Sequence, residues 1–124
     1  MNWQFDNNLP IYTQIVHKYR LAIASGELRP GEKLAAVREI AFEASVNPNT
    51  MQRAFQELER LGLVYTQRSS GRFVTEDMAV ISDTRKKLAE ETVRAFLSSM
   101  SALGFDREQI VEMLSKGERM NDNI

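Results

Sequence analysis

The chain has no cysteine, one histidine and three prolines among 124 residues. Without cysteine there is no disulfide framework, no thiolate metal site and no cysteine nucleophile. A lone histidine cannot build a zinc site, which needs several nitrogen or sulfur ligands. His17 lies beside the apolar stripe of a helix and reads as a surface or partly packed residue. No Ser-His-Asp spacing, phosphate-cradling glycine loop or isolated carboxylate pair recommends catalysis. The expectation is a protein that is not an enzyme and carries no cofactor and no metal. No apolar run is long enough to span a bilayer, and no tripartite signal opens the chain. No membrane association is expected, and the cytoplasm is the default compartment.

Net charge is scarce as well, at −1. Its distribution is uneven: residues 1–75 hold nine Lys/Arg against seven Asp/Glu, and residues 76–124 hold seven against ten. That balance argues against an indiscriminate electrostatic binder but permits a local basic surface. What is present, 43% hydrophobic and 27% charged residues, describes a folded globular chain of one domain or a small domain with an appendage.

Met1 to Leu9 carries Trp3 and Phe5 at alternating positions and is expected as a short extended arm packed on the domain. Pro10 opens a helix, where proline is tolerated in the first turn. Ile11, Ile15, Tyr19, Ala22 and Ile23 follow at helical spacing, and Gly26 stands where a C-terminal stop belongs. "LRPGEKL" reads as a turn. Val37, Ile40, Ala41 and Ala44 mark a second helix, "SVN" a tight link, and Met51, Ala54, Phe55, Leu58 and Leu61 the core face of a third. Val46 and Met51 flank Asn47 at the spacing of a hydrophobic staple. "LVYTQR" and "RFVT" around Ser69-Ser70-Gly71 predict a hairpin. Helix, helix, tight link, helix, hairpin is the order of a winged helix-turn-helix. Asp77 to Asp83 is expected as a connection, followed by a long helix from about Thr84 to Leu103 that Gly104 stops. Asp106 caps a further helix, with Gln109 in the capping-box place and Phe105 and Ile110 as a second staple.

The third helix begins "NPNTMQRAF". At about 100° per residue, Asn49, Gln52, Arg53 and Gln56 share one sector, opposite Ala54, Leu58 and Leu61. Asn and Gln pair in two places with the major-groove edge of adenine, and Arg does so with guanine. No carboxylate falls between Asn49 and Gln56 to repel phosphate. A polar solvated face is the bland reading of an isolated helix with these residues. The surroundings favour DNA: "SVN" presents the helix by its N-terminus, Arg38 starts the preceding helix, and Arg68 and Arg72 flank a small wing tip containing Gly71.

"PIYTQI", "IASGELRPGEKL", "VREIA", "NPNTMQRAFQELERLGLVYT" and "GRFV" resemble, in order and spacing, the DNA-binding domain of the GntR transcriptional regulators. "NPNT" and the short two-helix tail are most similar to the YtrA subfamily. The similarity covers residues 10–75 through several motifs, and the tail through length and helix count. It implies a cytoplasmic, dimeric bacterial regulator, usually a repressor, on an inverted-repeat operator near its own promoter, often beside genes for ABC transporters. By the resemblance, the base-contacting arginine of the second helix falls on Arg38. The start of the recognition helix falls on Asn47, Pro48, Asn49, Thr50 and Gln52, and the wing glycine on Gly71. The chain departs from the family in three places. Ala35-Ala36 replaces a frequent Pro-Ser, Pro48 stands where arginine is common, and Ser-Ser-Gly-Arg replaces Gly-x-Gly-x in the wing.

The expected architecture is mainly α with a small β-hairpin wing. A winged helix-turn-helix (residues 1–75, recognition helix 48–61, wing 64–75) is joined to a two-helix dimerisation tail (76–124). Leu88, Val93, Phe96, Leu97, Met100, Leu103, Ile110, Met113 and Leu114 are its candidate dimer residues. Two such helices cannot cover their apolar residues against each other alone, which leaves folding back on the winged helix or pairing with a second chain. The pairing is favoured because a reader of inverted repeats needs two recognition helices roughly 34–36 Å apart, or a multiple of that. The expected partners are double-stranded DNA and a second copy of the chain, with any small-molecule effector in the dimer cleft. The alternative is a protein-interaction module built on the winged helix.

Overall fold

The computed structural model describes residues 1–121. Positions 122–124 of the expected tail lie outside the described residues. The chain divides into two compact units, Met1–Lys87 and Leu88–Ile124.

In the first unit, α1 (Ile11–Ser25) buries Ile15, Tyr19, Ala22 and Ile23 and ends at Gly26, whose φ of 86° is left-handed. The arm before it is tied down twice. Gln14 Nε2 donates to the Asp6 carbonyl at 2.7 Å, and Asp6 N–H donates to Gln14 Oε1 at 2.8 Å. Trp3 lies 6.1 Å from Tyr19, and Tyr19 meets Phe55 edge-on at 5.0 Å, so an aromatic chain runs from the arm into the core. Burial holds the Tyr19 phenol above its ordinary value, with the negative charge of Glu43 adding to the effect.

Helices α2 (Val37–Ala44) and α3 (Pro48–Arg60) form the expected pair. Met51, Phe55 and Leu58 of α3 are fully buried with Ile15, Ile23, Leu63 and Val74. Each such side chain contributes roughly 1.5–3 kcal/mol relative to exposure. Leu61, expected on the core face, is instead 37% exposed. The helix ends at Arg60, Gly62 turns the chain at φ 78°, and Leu63 fills the core position. Strands β1 (Val64–Gln67) and β2 (Gly71–Val74) pair antiparallel from Val64↔Val74 to Gln67↔Gly71.

The "LRPGEKL" stretch is more than a turn. Gly31 N–H donates to the Val74 carbonyl, Val74 N–H to that of Glu32 and Leu34 N–H to that of Arg72, each at 2.9 Å, and Lys33 bridges Phe73. Residues 31–34 thus lie along β2 on the side away from β1.

The expected connection Asp77–Asp83 is also corrected, because α4 runs from Met78 to Ala102. Asp77 starts it: its carboxylate accepts from Ala79 N–H at 3.0 Å and its carbonyl from Ile81 N–H at 3.2 Å. Arg85 of this helix donates to the Ala24 carbonyl at 3.1 Å, which gives the end of α1 an acceptor's partner.

In the second unit, Gly104 (φ 89°) closes α4, with Phe105 N–H on the Met100 carbonyl and Gly104 N–H on that of Ser101. This paired closure satisfies the last helical carbonyls. The helix α5 (Arg107–Asn121) opens with the expected capping box: Gln109 N–H donates to Asp106, and Asp106 N–H to Gln109, both at 2.9 Å. No helix among the described residues is long and apolar enough to cross a membrane.

Candidate nucleic-acid interface

The tip of α3 is presented by two adjoining caps. Ser45 closes α2 in a left-handed conformation (φ 57°), with Ser45 N–H on the Phe42 carbonyl and Val46 N–H on that of Ala41. Asn47 then accepts from Asn49 N–H at 2.8 Å, and Pro48 occupies the first helical position, where no amide is needed. Val46 packs partly buried against the cluster that contains Met51, as the staple requires. The caps fix the angle at which α3 leaves the domain.

The structure brings the expected polar residues to one exposed face. Pro48, Asn49, Arg53 and Gln56 are exposed, with Thr50 and Gln52 half-buried beside them. Arg38 is exposed in the first turn of α2. Asn47 shares the tip, but its side-chain oxygen is engaged in the cap. Among the described residues, no carboxylate pairs with Arg38, Arg53 or Arg68. The guanidinium of Arg53 lies over the Tyr12 ring at 3.7 Å from its centroid.

The carboxylates that follow on α3 are each occupied. Glu57 is paired with Arg60, whose hydrogen bond holds the carboxyl below its ordinary value. Glu59 accepts from the Thr66 hydroxyl and from Arg72 Nε, the latter at 3.0 Å. The Thr66 bond is the main cause of a lowered Glu59 pKa; burial opposes it, and the hydrogen bond and charge of Arg72 add to the lowering. The negative charge nearest the face is therefore largely compensated.

The wing residues separate. Arg68 is exposed at the hairpin loop with Ser69 and Ser70, where Ser70 N–H closes the turn on the Gln67 carbonyl at 3.0 Å. Gly71 has φ 112°, and a methyl group there would meet Lys33 Cε at 3.2 Å. Arg72 does not reach out with Arg68. It folds back to Glu59 and over the Phe55 ring at 5.5 Å, bracing β2 against α3.

Sequence reasoning missed four participants. Lys33 reaches the wing only because residues 31–34 pair with β2, which a local turn signal cannot show. Tyr12 meets Arg53 across α1 and α3, a long-range contact. Glu59 reads as an ordinary helix acid until Thr66 and Arg72 are folded onto it. Ser69 takes φ 69°, a left-handed conformation that a glycine would adopt without steric cost. That serine was visible in the chain, and its backbone consequence was the available signal.

In the second unit, Leu88 and Ile110 of the candidate dimer set are buried within the chain. Leu97 and Met100 are half-buried, while Val93, Phe96, Leu103, Met113 and Leu114 are exposed. Val93, Phe96, Leu97, Ile110 and Leu114, with Thr92, Arg107 and Val111, line a groove of 480 Å³. Among the described residues no cluster of three or more His, Cys, Asp or Glu side chains suits a metal ion.

The family model for bacterial regulatory proteins of the gntR family matches residues 11–74. The HTH-type transcriptional regulator YhcF of Bacillus subtilis is 40% identical over 112 residues, covering 90% of this chain and 93% of that protein. The HTH-type transcriptional repressor YtrA of the same species is 29% identical over 123 residues, or 94% and 95% of the two chains. A GntR family transcriptional regulator from Listeria monocytogenes matches in structure with a TM-score of 0.82 and 41% identity, over 90% of this chain and 98% of that one. The DNA-binding domain of AraR, solved in complex with its operator ORR3, matches with a TM-score of 0.51 and 27% identity, over 60% and 88%.

Proposed function

The chain belongs to the gntR family of bacterial regulatory proteins, in its YtrA-like branch, and from that premise we propose that it is a dimeric repressor of an inverted-repeat operator. Membership makes it a DNA-binding transcriptional regulator, and its relatives are regulators rather than enzymes. The observation that carries the finer reading is the face of α3: three amides and an arginine, free of carboxylates, displayed at a capped helix tip. The amides Asn49, Gln52 and Gln56 read base edges in the major groove. Pro48 and Thr50 bring the backbone of the tip close, while Arg38 holds the adjacent strand or a guanine. Arg68 at the hairpin loop and Lys33 beside Gly71 serve the wing on the neighbouring minor groove or backbone. Arg72 keeps that wing in place.

Support for the dimer comes from the exposed apolar residues of the second unit. Val93, Phe96 and Leu114 border a groove whose apolar wall would otherwise face water. A second copy covers it and sets two recognition helices on one duplex. A small-molecule effector, if the regulator uses one, binds in the cleft between the copies. The resemblance adds a cytoplasmic setting and an operon that includes the regulator's own gene and an ABC transporter.

The test is a gel-shift series at moderate salt with the promoter fragment upstream of its own gene. A discrete shift that Asn49→Ala/Gln52→Ala abolishes, while a random duplex is bound no better than before, is the expected result. If no promoter fragment shifts and the chain captures a defined protein instead, the winged-helix interaction module is the better reading.

A further inference from the structure

We propose that Tyr12 presets Arg53 as a clamp for one backbone phosphate at the margin of the groove that α3 enters. This inference rests on the DNA-binding reading above. The Arg53 guanidinium carbon stands 3.7 Å from the centroid of the Tyr12 ring. Tyr12 is itself partly buried against the core, so the ring is a fixed platform rather than a second mobile side chain.

Stacking occupies the face of the guanidinium and leaves its in-plane N–H donors directed outward, the edge that binds phosphate oxygens. The carboxylate best spaced to take those donors is Glu57, four residues on, and Arg60 already holds it. On the helix, Arg53 lies about 40° from Asn49, on the flank opposite Gln52. Tyr12 belongs to α1, and its ring draws the guanidinium to that flank, off the sector of the amides. Bases form the floor of a groove and phosphates its margins, so an arginine parked at the edge meets the strand and not a base pair. Holding the side chain before DNA arrives also reduces the rotamer freedom lost on binding.

The test measures binding to the promoter duplex and to a scrambled duplex of equal length, across salt. The chains compared are wild type, Tyr12→Phe, Tyr12→Leu, Arg53→Ala and the Tyr12→Leu/Arg53→Ala double variant. Arg53→Ala should weaken both duplexes alike and lower the magnitude of the log-log salt slope by about one unit. Tyr12→Leu should weaken both about two- to fivefold, the size of an exposed cation–π contact. Tyr12→Phe keeps the ring and should bind as wild type does. In the Arg53→Ala background, Tyr12→Leu should have no further effect, which a purely structural role would not produce. A Tyr12→Leu loss that persists undiminished in that background overturns the proposal. So does an Arg53→Ala loss confined to the promoter duplex with an unchanged salt slope, which would mean a base contact. Wild-type binding with Tyr12→Leu unaffected sinks this inference alone, whereas a wild-type chain that binds neither duplex sinks the DNA-binding reading beneath it.

Discussion

Arg72 Nε stands 3.0 Å from Glu59 Oε1, joining the second wing strand to the last turn of the recognition helix. Because Thr66 of the first wing strand donates to the same oxygen, one carboxylate holds both strands. Glu59→Gln should cost about 0.5–1 kcal/mol at neutral pH, the range for a partly exposed pair. The folded carboxyl is held below its ordinary 4.5, so its contribution is present above the unfolded value and is lost as pH falls through the folded one. Urea melts of wild type and Glu59→Gln should therefore converge as the medium is acidified below about pH 4.5. A gap that stays constant with pH would show that ionised Glu59 is not the brace.

Ser69 has a φ of 69° and Gly71 one of 112°. Ser69→Gly should relieve the first and raise stability by about 0.5–1 kcal/mol, allowing for the greater freedom of glycine in the unfolded chain. Gly71→Ala should lower it by at least about 1 kcal/mol, since the backbone is unfavourable and Lys33 must also shift. Chemical denaturation of the two variants gives opposite signs or the wing geometry is wrong.

Asn47 separates folding from recognition. Asn47→Ala removes the acceptor of Asn49 N–H and should cost about 1 kcal/mol. Asn47→Asp keeps the cap and suits the positive end of the helix, so stability should hold. It also sets a carboxylate at the proposed groove-facing tip, so DNA affinity should fall. Melting curves and gel shifts on both variants would reveal the split.

Arg38→Ala should weaken specific binding by roughly 1–3 kcal/mol if Arg38 pairs with guanine, leaving nonspecific affinity nearly unchanged. If it holds only a phosphate, both affinities fall and the salt slope shrinks by about one unit. Titration of operator and random DNA at several salt concentrations separates the two, and no change in either would remove Arg38 from the interface.

Phe96→Glu places a charge on the rim of the apolar groove and should convert the proposed dimer to monomer in sedimentation. Phe96 is 40% exposed in the single chain, so its fold should survive. DNA affinity should drop well beyond the loss of any single contact, because the two half-sites are then bound independently. A variant that sediments as wild type would move the interface elsewhere.

Much of this was legible in the chain because the decisive signals are local. Asn47-Pro48, Gly26, Gly104 and the Asp106–Gln109 pair each mark a helix end within a few residues, and the apolar spacing of α1 and α3 predicts which face is buried. The misreadings share a different cause. Asp77 is a cap as good as Asp106, but Met78-Ala79-Val80-Ile81 lacks the charged surface expected of a helix start. Residues 31–34 look like a turn because their partners, Arg72 to Val74, lie forty positions away. The candidate interface was legible in composition, where amides stand without acids. Its supports were not, because the Tyr12–Arg53 and Glu59–Arg72 contacts exist only once the helices are packed.

The pairing of residues 31–34 with β2 makes a closed circuit of the chain from Gly31 to Val74, and α2 and α3 both lie inside it. A disturbance at Pro30 therefore has a short route to the hairpin through three backbone hydrogen bonds. The amides of Leu34 and Val74 should exchange with solvent together rather than with their neighbours in sequence. An insertion after α1, which looks harmless on a linear map, would unfasten the wing from behind.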